Sequence, residues 1–94
     1  MMYLYRFFNK YGRCVYVGIT NNLEIRLNQH RTGEHRVWWN EVSKIDYAML
    51  VDNAILTDSY EKYYINKMNA KYNIKDTKMK FKKFDYPELN FTEY

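Results

Sequence analysis

The sequence has 94 residues, a net charge of +4 and 19% aromatic residues, enough for one domain with a modest core and too little for two. Its single cysteine, Cys14, excludes an internal disulfide and suits a reducing compartment. No apolar run could cross a membrane and the N-terminus lacks a signal-peptide pattern, so we expect a cytoplasmic protein without a membrane partner. The positive charge slightly favours an anionic partner.

Two strands joined by a tight turn are predicted first. Period-two alternation places Tyr5 on one face of a strand with Tyr3 and Phe7, and residues 9–12 have turn composition, with Gly12 able to adopt a positive φ. The returning strand, residues 13–19, alternates in the same way. Its two predicted faces are Cys14, Tyr16 and Gly18 on one side and Val15, Val17 and Ile19 on the other.

A helix is predicted from a cap at Asn21 or Asn22 to about Arg31. Arg26 and His30 lie four residues apart, so one side of this helix can present both to the same cleft. The pattern alone leaves Arg26 open as a solvated helix arginine. For His30, a role in proton transfer or phosphate contact and a plain exposed histidine are equally open.

Basic and aromatic residues interleave between positions 31 and 40, around the helix breaker Gly33. Such a segment can clamp a nucleic-acid backbone and stack on bases. The alternative is that Val37 and one tryptophan pack on the core while the basic residues are solvated; we favour this for one tryptophan and leave the other open. The candidate nucleic-acid contacts here are Arg31, Arg36 and Trp38.

A third strand is predicted over residues 45–51 and a long helix over residues 54–72, with Asn53 as a cap. Glu61 falls in line with the apolar residues of that helix. A carboxylate on a buried side needs a partner, because an unpaired buried charge is costly. That partner is a divalent metal ion or a tyrosine or arginine of the core.

The remaining residues are basic and then acidic and aromatic. Lys78 and Lys80 are candidate nucleic-acid contacts, with solvated lysines as an equal alternative. After Pro87 no periodic pattern is present, so we expect a frayed end, with a tail folded back on the domain as the alternative. We therefore expect a domain over residues 1–77 and a basic-aromatic tail over residues 78–94.

A set of residues in matching order and spacing resembles the GIY-YIG nuclease family. Tyr3-Leu4-Tyr5 corresponds to the first motif and Tyr16-Val17-Gly18 to the second, with ten residues between Tyr5 and Tyr16. The resemblance extends roughly from residue 3 to residue 75. The matching single positions further along are Arg26, Glu61 and Asn73. Tyr3 stands where the family has glycine, a change that spares the reactive position Tyr5.

The resemblance implies an α+β fold, with a three-stranded antiparallel sheet flanked by helices, and a metal-dependent endonuclease that hydrolyses DNA. Glu61 would hold a single Mg²⁺ or Mn²⁺ ion, a hard cation that prefers oxygen ligands. Arg26 would contact the phosphate oxygens, Tyr5 and Tyr16 would divide the roles of general base and positioner, and Asn73 would tie the long helix to the site. The expected catalytic set is Tyr5, Tyr16, Arg26, His30, Glu61 and Asn73.

Two other classes of function remain open. The same fold can serve as a catalytically silent module that binds nucleic acid or protein, and an interaction protein could use the aromatic tail, residues 81–94, as its working surface. A catalytic domain of this size should select its target poorly unless it forms a homodimer or is guided by another protein. Compact members of the family suit phage or mobile-element genomes, by analogy alone.

Overall fold

The structure is a computed structural model, and it describes residues 1–33, 37–76 and 86–94, with only the backbone for 74–76. In those residues it contains four strands, two α-helices and two short 3₁₀ segments. The strands are β1 (Met2–Phe8), β2 (Cys14–Thr20), β3 (Lys44–Leu50) and β4 (Thr92–Glu93). The helices are α1 (Leu23–Thr32) and α2 (Ala54–Met68), and the 3₁₀ segments are Trp39–Glu41 and Lys71–Asp76.

The strands form one antiparallel sheet in the order β2-β1-β3-β4. The α+β prediction is confirmed, but the sheet has four strands where three were expected. The extra strand is β4, which pairs with β3 through Asp46 and Tyr47. The expectation of a frayed end is therefore wrong for residues 86–94, and the tail folds back on the domain. It does so because it carries apolar side chains that pack on the core, namely Tyr86, Leu89 and Phe91.

The turn between β1 and β2 is built by Asn9 and Gly12. The side-chain oxygen of Asn9 accepts hydrogen bonds from the backbone N–H groups of Tyr11 and Arg13, at 3.0 Å each. Gly12 has a φ of +81°, which a residue with a Cβ rarely adopts. The predicted turn is confirmed.

A β-bulge in β2 changes which side chains face each side of the sheet. Phe7 pairs with Tyr16 and Phe8 pairs with Cys14, so Val15 is an extra residue on this strand. Val15 packs with the cluster around Tyr5, and Cys14 packs on the opposite face. The predicted alternation therefore fails at residues 14 and 15, because a bulge shifts the two-residue period. From residue 16 onward the alternation holds.

Each face of the sheet carries one helix. On one face Leu4, Val17 and Leu50 pack against residues of α2, chiefly Tyr60, Tyr64 and Ile65. On the other face Tyr5, Phe7 and Val15 pack against Leu27 of α1. The sheet thus lies between α1 and α2. Strand β1 carries buried side chains on both of its faces because a helix covers each face.

Asparagines begin both helices, as predicted. The side chain of Asn22 accepts from Ile25 N and that of Asn53 accepts from Leu56 N, each at 3.1 Å. These bonds satisfy backbone donors that the first turn of a helix leaves without an intrahelical partner. The first helix also ends close to its predicted limit, at Thr32.

The second helix ends at Met68, earlier than the predicted Tyr72. Asn69 adopts the left-handed conformation, with φ 49° and ψ 52°, and Ala70 N donates back to Ile65 O at 3.3 Å. This pattern of bonds is a Schellman motif, which turns the chain away from the helix axis. Asparagine permits the motif because its short polar side chain tolerates the left-handed region. The chain then enters the 3₁₀ segment that carries Asn73.

An ion pair lies on the α2 side of the sheet. Arg6 donates from Nε and Nη2 to the two carboxylate oxygens of Asp46, at 2.8 and 2.6 Å. The Arg6 guanidinium carbon lies 3.5 Å from the ring centre of Phe91. Arg6 therefore joins β1, β3 and the C-terminal segment in one cluster.

Candidate active site

Tyr5 is the residue at which several elements of the candidate site meet. Its hydroxyl lies 2.7 Å from His30 Nε2 and accepts a hydrogen bond from Arg26 Nε at 3.4 Å. The neutral histidine tautomer with its proton on Nδ1 accepts the Tyr5 O–H at Nε2. The side chain is only 1% exposed, so strand β1 and helix α1 are connected by a buried polar contact.

Gly18 lets the Tyr5 ring lie over strand β2. The two residues are directly opposite each other in the sheet, and a Cβ at Gly18 would overlap the hydroxyl and ring of Tyr5. Because β2 is an outer strand, the Tyr5 hydroxyl lies over the edge of the sheet. The glycine of the second motif is therefore required by packing as well as by its place in the motif.

The environment of Tyr5 keeps its phenol protonated. Burial raises the pKa of Tyr5 well above its usual value of 10.0, and the neighbouring Tyr16 raises it further. The hydrogen bond and positive charge of Arg26 lower this pKa without offsetting the burial. The negative charge of Glu61 also raises this pKa, less than burial and Tyr16 do.

Tyr16 is half-buried and more accessible than Tyr5. Its ring stacks on that of Tyr5 with 6.2 Å between centres, and it lies edge-on to His30 at 5.0 Å. Trp38 lies on it with 5.7 Å between ring centres. The two motif tyrosines are therefore neighbours in one aromatic cluster, but only Tyr16 retains a substantial surface.

Arg26 lies on α1 and is also half-buried. In addition to the bond with Tyr5, its Nη1 donates to Gln29 Oε1 at 3.0 Å. Gln29 was missed by the sequence analysis, although its position three residues after Arg26 was a usable signal. Two of the guanidinium nitrogens thus hold the side chain in one orientation, which prepares it for a planar anionic group.

His30 has no exposed surface, so the alternative of an exposed histidine is wrong. Its ring packs edge-on against Phe7, with 5.2 Å between centres, and its Nε2 contacts Tyr5. A fully enclosed side chain does not touch a bound phosphate in this conformation. Its position suits a partner of Tyr5.

Glu61 is partly buried on α2, one turn before the buried Tyr64 and Ile65. Its carboxylate oxygens are suitable ligands for Mg²⁺ or Mn²⁺. In the described part of the chain, no group of three or more His, Cys, Asp or Glu side chains could hold a metal ion. The site fits an ion held by one carboxylate, with water and substrate oxygens as its other ligands.

Asn73 holds the outer edge of strand β2. Its Oδ1 accepts from Val17 N at 2.9 Å, and its Nδ2 donates to Val17 O at 3.2 Å. These are the backbone groups that an edge strand leaves without a strand partner. Asn73 thus joins the segment after α2 to the residue next to Tyr16, while its place in the catalytic set stays a prediction.

The candidate nucleic-acid contacts have different surroundings. Arg31 is exposed and donates to Asn28 Oδ1 at 2.6 Å, whereas Trp38 is half-buried against Tyr72 and Tyr16. Arg36, Lys78 and Lys80 lie outside the described residues. The expectation that Val37 packs on the core is wrong, since it is 87% exposed. Both tryptophans pack on the core cluster around Tyr5, so the tryptophan that was left open does so as well.

Comparison with known proteins agrees with this geometry. Residues 1–73 match the family model of the GIY-YIG catalytic domain. The chain belongs to the GIY-YIG family. The match runs from β1 to Asn73 and so contains all the catalytic candidates, while the predicted domain boundary at residue 77 stays a prediction. No curated protein matches the chain.

Membership of the GIY-YIG family indicates a nuclease and therefore a nucleic-acid substrate. No helix in the described ranges combines the length and the apolar composition that crossing a bilayer requires. The nuclease class follows from the family match.

Proposed function

We propose that the protein is a metal-dependent endonuclease that hydrolyses phosphodiester bonds in DNA. The observation that carries the proposal is the convergence on the Tyr5 hydroxyl. Arg26 Nε lies 3.4 Å from it, and the charge of Glu61 acts on the same group. Tyr16 stacks beside it. Residues from β1, β2 and α1 thus meet beside the Tyr5 hydroxyl, and the charge of Glu61 on α2 raises the pKa of the same phenol.

Arg26 is suited to bind the scissile phosphate. A guanidinium donates to two phosphate oxygens in a fixed plane and stays charged at all working pH values. The bond to Gln29 holds Arg26 on the side of the helix that faces Tyr5. Phosphate binding there would place the reacting group beside both motif tyrosines.

We assign Tyr16 as the general base and Tyr5 as the positioning tyrosine. Tyr5 is enclosed, has a raised pKa and already contacts His30 and Arg26, so it is poorly suited to take a proton from water. Tyr16 is accessible and lies in the same aromatic cluster. A bound cation and Arg26 would both favour the ionised form of a neighbouring phenol.

Glu61 is the residue that would hold Mg²⁺ or Mn²⁺. When bound there, the ion would supply positive charge that polarises the phosphate and stabilises the leaving 3′ oxygen.

Cys14 is a free thiol, which suits the reducing cytoplasm.

The proposal is tested by nicking of supercoiled plasmid DNA in Mg²⁺ or Mn²⁺, with Glu61→Gln as the variant. A lost metal ligand removes several kcal/mol of charge stabilisation, so we expect a rate lower by about 100-fold or more. The matched control is Glu24→Gln, which changes an exposed carboxylate on α1 and should nick as the wild type does.

Two outcomes would contradict the proposal. Equal nicking by Glu61→Gln and wild type would exclude Glu61 as the metal ligand. No nicking by the wild type, together with a gel shift of DNA that EDTA does not change, would indicate a catalytically silent binding module.

A further inference from the structure

We propose that Trp38, Glu41 and Tyr72 form an aromatic brace that orients Tyr16, and that Glu41 and Tyr72 are positioning residues for the reaction. This inference rests on the proposed function, because it concerns the residue assigned as general base. Neither Glu41 nor Tyr72 belongs to the motif positions that identify the site, and neither contacts Arg26 in the described contacts. Both act on the site through Trp38.

The first part of the brace is a close stack of two rings. Trp38 and Tyr72 are nearly parallel, with 4.4 Å between ring centres and 6° between their planes. Trp38 also lies on Tyr16, at 5.7 Å and 36°. The position of the Trp38 ring, and hence one side of Tyr16, therefore depends on Tyr72.

The second part is a polar anchor that fixes Tyr72. The Tyr72 hydroxyl donates a hydrogen bond to Glu41 Oε2, and Lys71 Nζ lies 3.0 Å from Glu41 Oε1. The bond from Tyr72, and then the bond from Lys71, lower the pKa of Glu41, so the carboxylate remains charged at neutral pH. Glu41 N in turn donates to Trp38 O at 3.0 Å, which closes the turn that carries the tryptophan.

The brace and Asn73 hold Tyr16 from two directions. Asn73 bonds both backbone groups of Val17, the next residue in β2, while Tyr72 acts on the Tyr16 ring through Trp38. Tyr72 and Asn73 are adjacent in one 3₁₀ segment. A displacement of about 1 Å of a reacting group can cost about 100-fold in rate. Asn73 fixes the backbone beside Tyr16, and Trp38 contacts its ring, so the two together limit such a displacement.

The experiment removes the stack with Tyr72→Leu and uses Tyr11→Leu as a matched control, because Tyr11 is 82% exposed at the β1–β2 turn. The first readout is independent of activity. It is the ¹⁹F resonance of 3-fluorotyrosine incorporated at position 16. We expect Tyr72→Leu to shift or broaden this resonance and Tyr11→Leu to leave it unchanged.

The second readout is the kinetics of DNA nicking by unlabelled protein. We expect Tyr72→Leu to lower kcat by about 10- to 100-fold with KM almost unchanged. Tyr72→Phe keeps the ring but loses the bond to Glu41, so we expect it to lower kcat by only about fivefold. A raised KM with normal kcat would overturn the inference, because it would mean that the Trp38–Tyr72 stack binds DNA directly. An unchanged ¹⁹F resonance would overturn it as well.

A further variant covers the case in which Tyr72→Leu does not fold. Glu41→Ala removes only the polar anchor, and Glu24→Ala is its matched control on α1. We expect Glu41→Ala to alter the ¹⁹F resonance and to lower kcat by about fivefold, as for the loss of one hydrogen bond. No change in either readout would overturn the inference. A wild type that nicks no DNA, with the expected ¹⁹F changes, would refute the proposed function and leave the brace in place.

Discussion

The hydroxyl of Tyr5 joins two elements within the site, since it contacts His30 and Arg26 of helix α1. Its ring lies over Gly18, where any side chain would overlap it. The two tyrosines of the motifs are therefore not equivalent: Tyr5 is enclosed by its neighbours, and Tyr16 retains accessible surface. The family motif identifies these two side chains. Their different burial supports the different roles that we propose for them.

The raised pKa of Tyr5 predicts a loss of stability at alkaline pH. The unfolded chain releases the phenol proton near pH 10, whereas the folded protein retains it, so the free energy of unfolding falls as pH rises above about 10. Below that pH the phenol is neutral in both states, so Tyr5 contributes no pH dependence there. Urea unfolding between pH 8 and pH 11 measures the effect.

Tyr5→Phe should have a weaker alkaline loss of stability than the wild type, because the titrating group is gone. Tyr11→Phe is the control, since the Tyr11 side chain is exposed at the β1–β2 turn. Parallel pH profiles for Tyr5→Phe and wild type would show that Tyr5 is not the group responsible.

At the scale of elements, the sheet is held together by contacts that join non-adjacent parts of the chain. Asn73 secures the outer edge of β2, and the Arg6–Asp46 pair with Phe91 secures the C-terminal segment beside β3. The first contact lies next to the candidate site, and the second lies on the opposite face of the sheet. Stability and activity should therefore respond separately to changes at these two places.

Asp46→Asn should destabilise the protein strongly. The change leaves the mostly buried guanidinium of Arg6 without its ionic partner, which we expect to lower the free energy of unfolding by about 3 kcal/mol. Asp58→Asn is the matched control, because Asp58 forms an exposed pair with Lys62 and its loss should cost about 0.5 kcal/mol or less. Urea unfolding of both variants at neutral pH measures the difference, and equal effects would contradict the argument from burial.

At the scale of the whole molecule, two helices enclose a sheet whose outer strand β2 carries the candidate site. The chain has a net charge of +4, which attracts a polyanion but is small for a nucleic-acid-binding protein. The GIY-YIG match assigns the fold and the nuclease class to residues 1–73. The number of phosphate contacts would then set how an affinity for DNA depends on salt.

Binding of DNA should weaken as the salt concentration rises, because each phosphate contact releases counterions. With only a few such contacts, we expect the affinity to fall by about 10-fold or more between 50 and 200 mM salt. Fluorescence anisotropy of a labelled duplex in EDTA measures binding without cleavage. Arg31→Ala should reduce the salt dependence, whereas the control Asn90→Ala, at an exposed neutral residue of the C-terminal segment, should not. Affinity that does not change with salt would exclude phosphate contacts as the main source of binding.

The sequence by itself determined the local structure and the identity of the family. The helix caps at Asn22 and Asn53, the turn at Gly12 and the alternation from Tyr16 onward all depend on neighbouring residues, so local rules predict them. The motif residues identified the GIY-YIG family in the same way, because their order and spacing lie within the chain itself.

Only the tertiary structure decided what depends on contacts between distant residues. The bulge at Val15 follows from the pairing of β1 with β2, and β4 forms because residues 86–94 can pack on a surface that the sequence pattern does not reveal. Likewise, the complete burial of His30 results from packing by the rings of Tyr5 and Phe7 on β1 and of Tyr16 on β2. Such features depend on which surfaces meet, and a one-dimensional pattern does not contain that information.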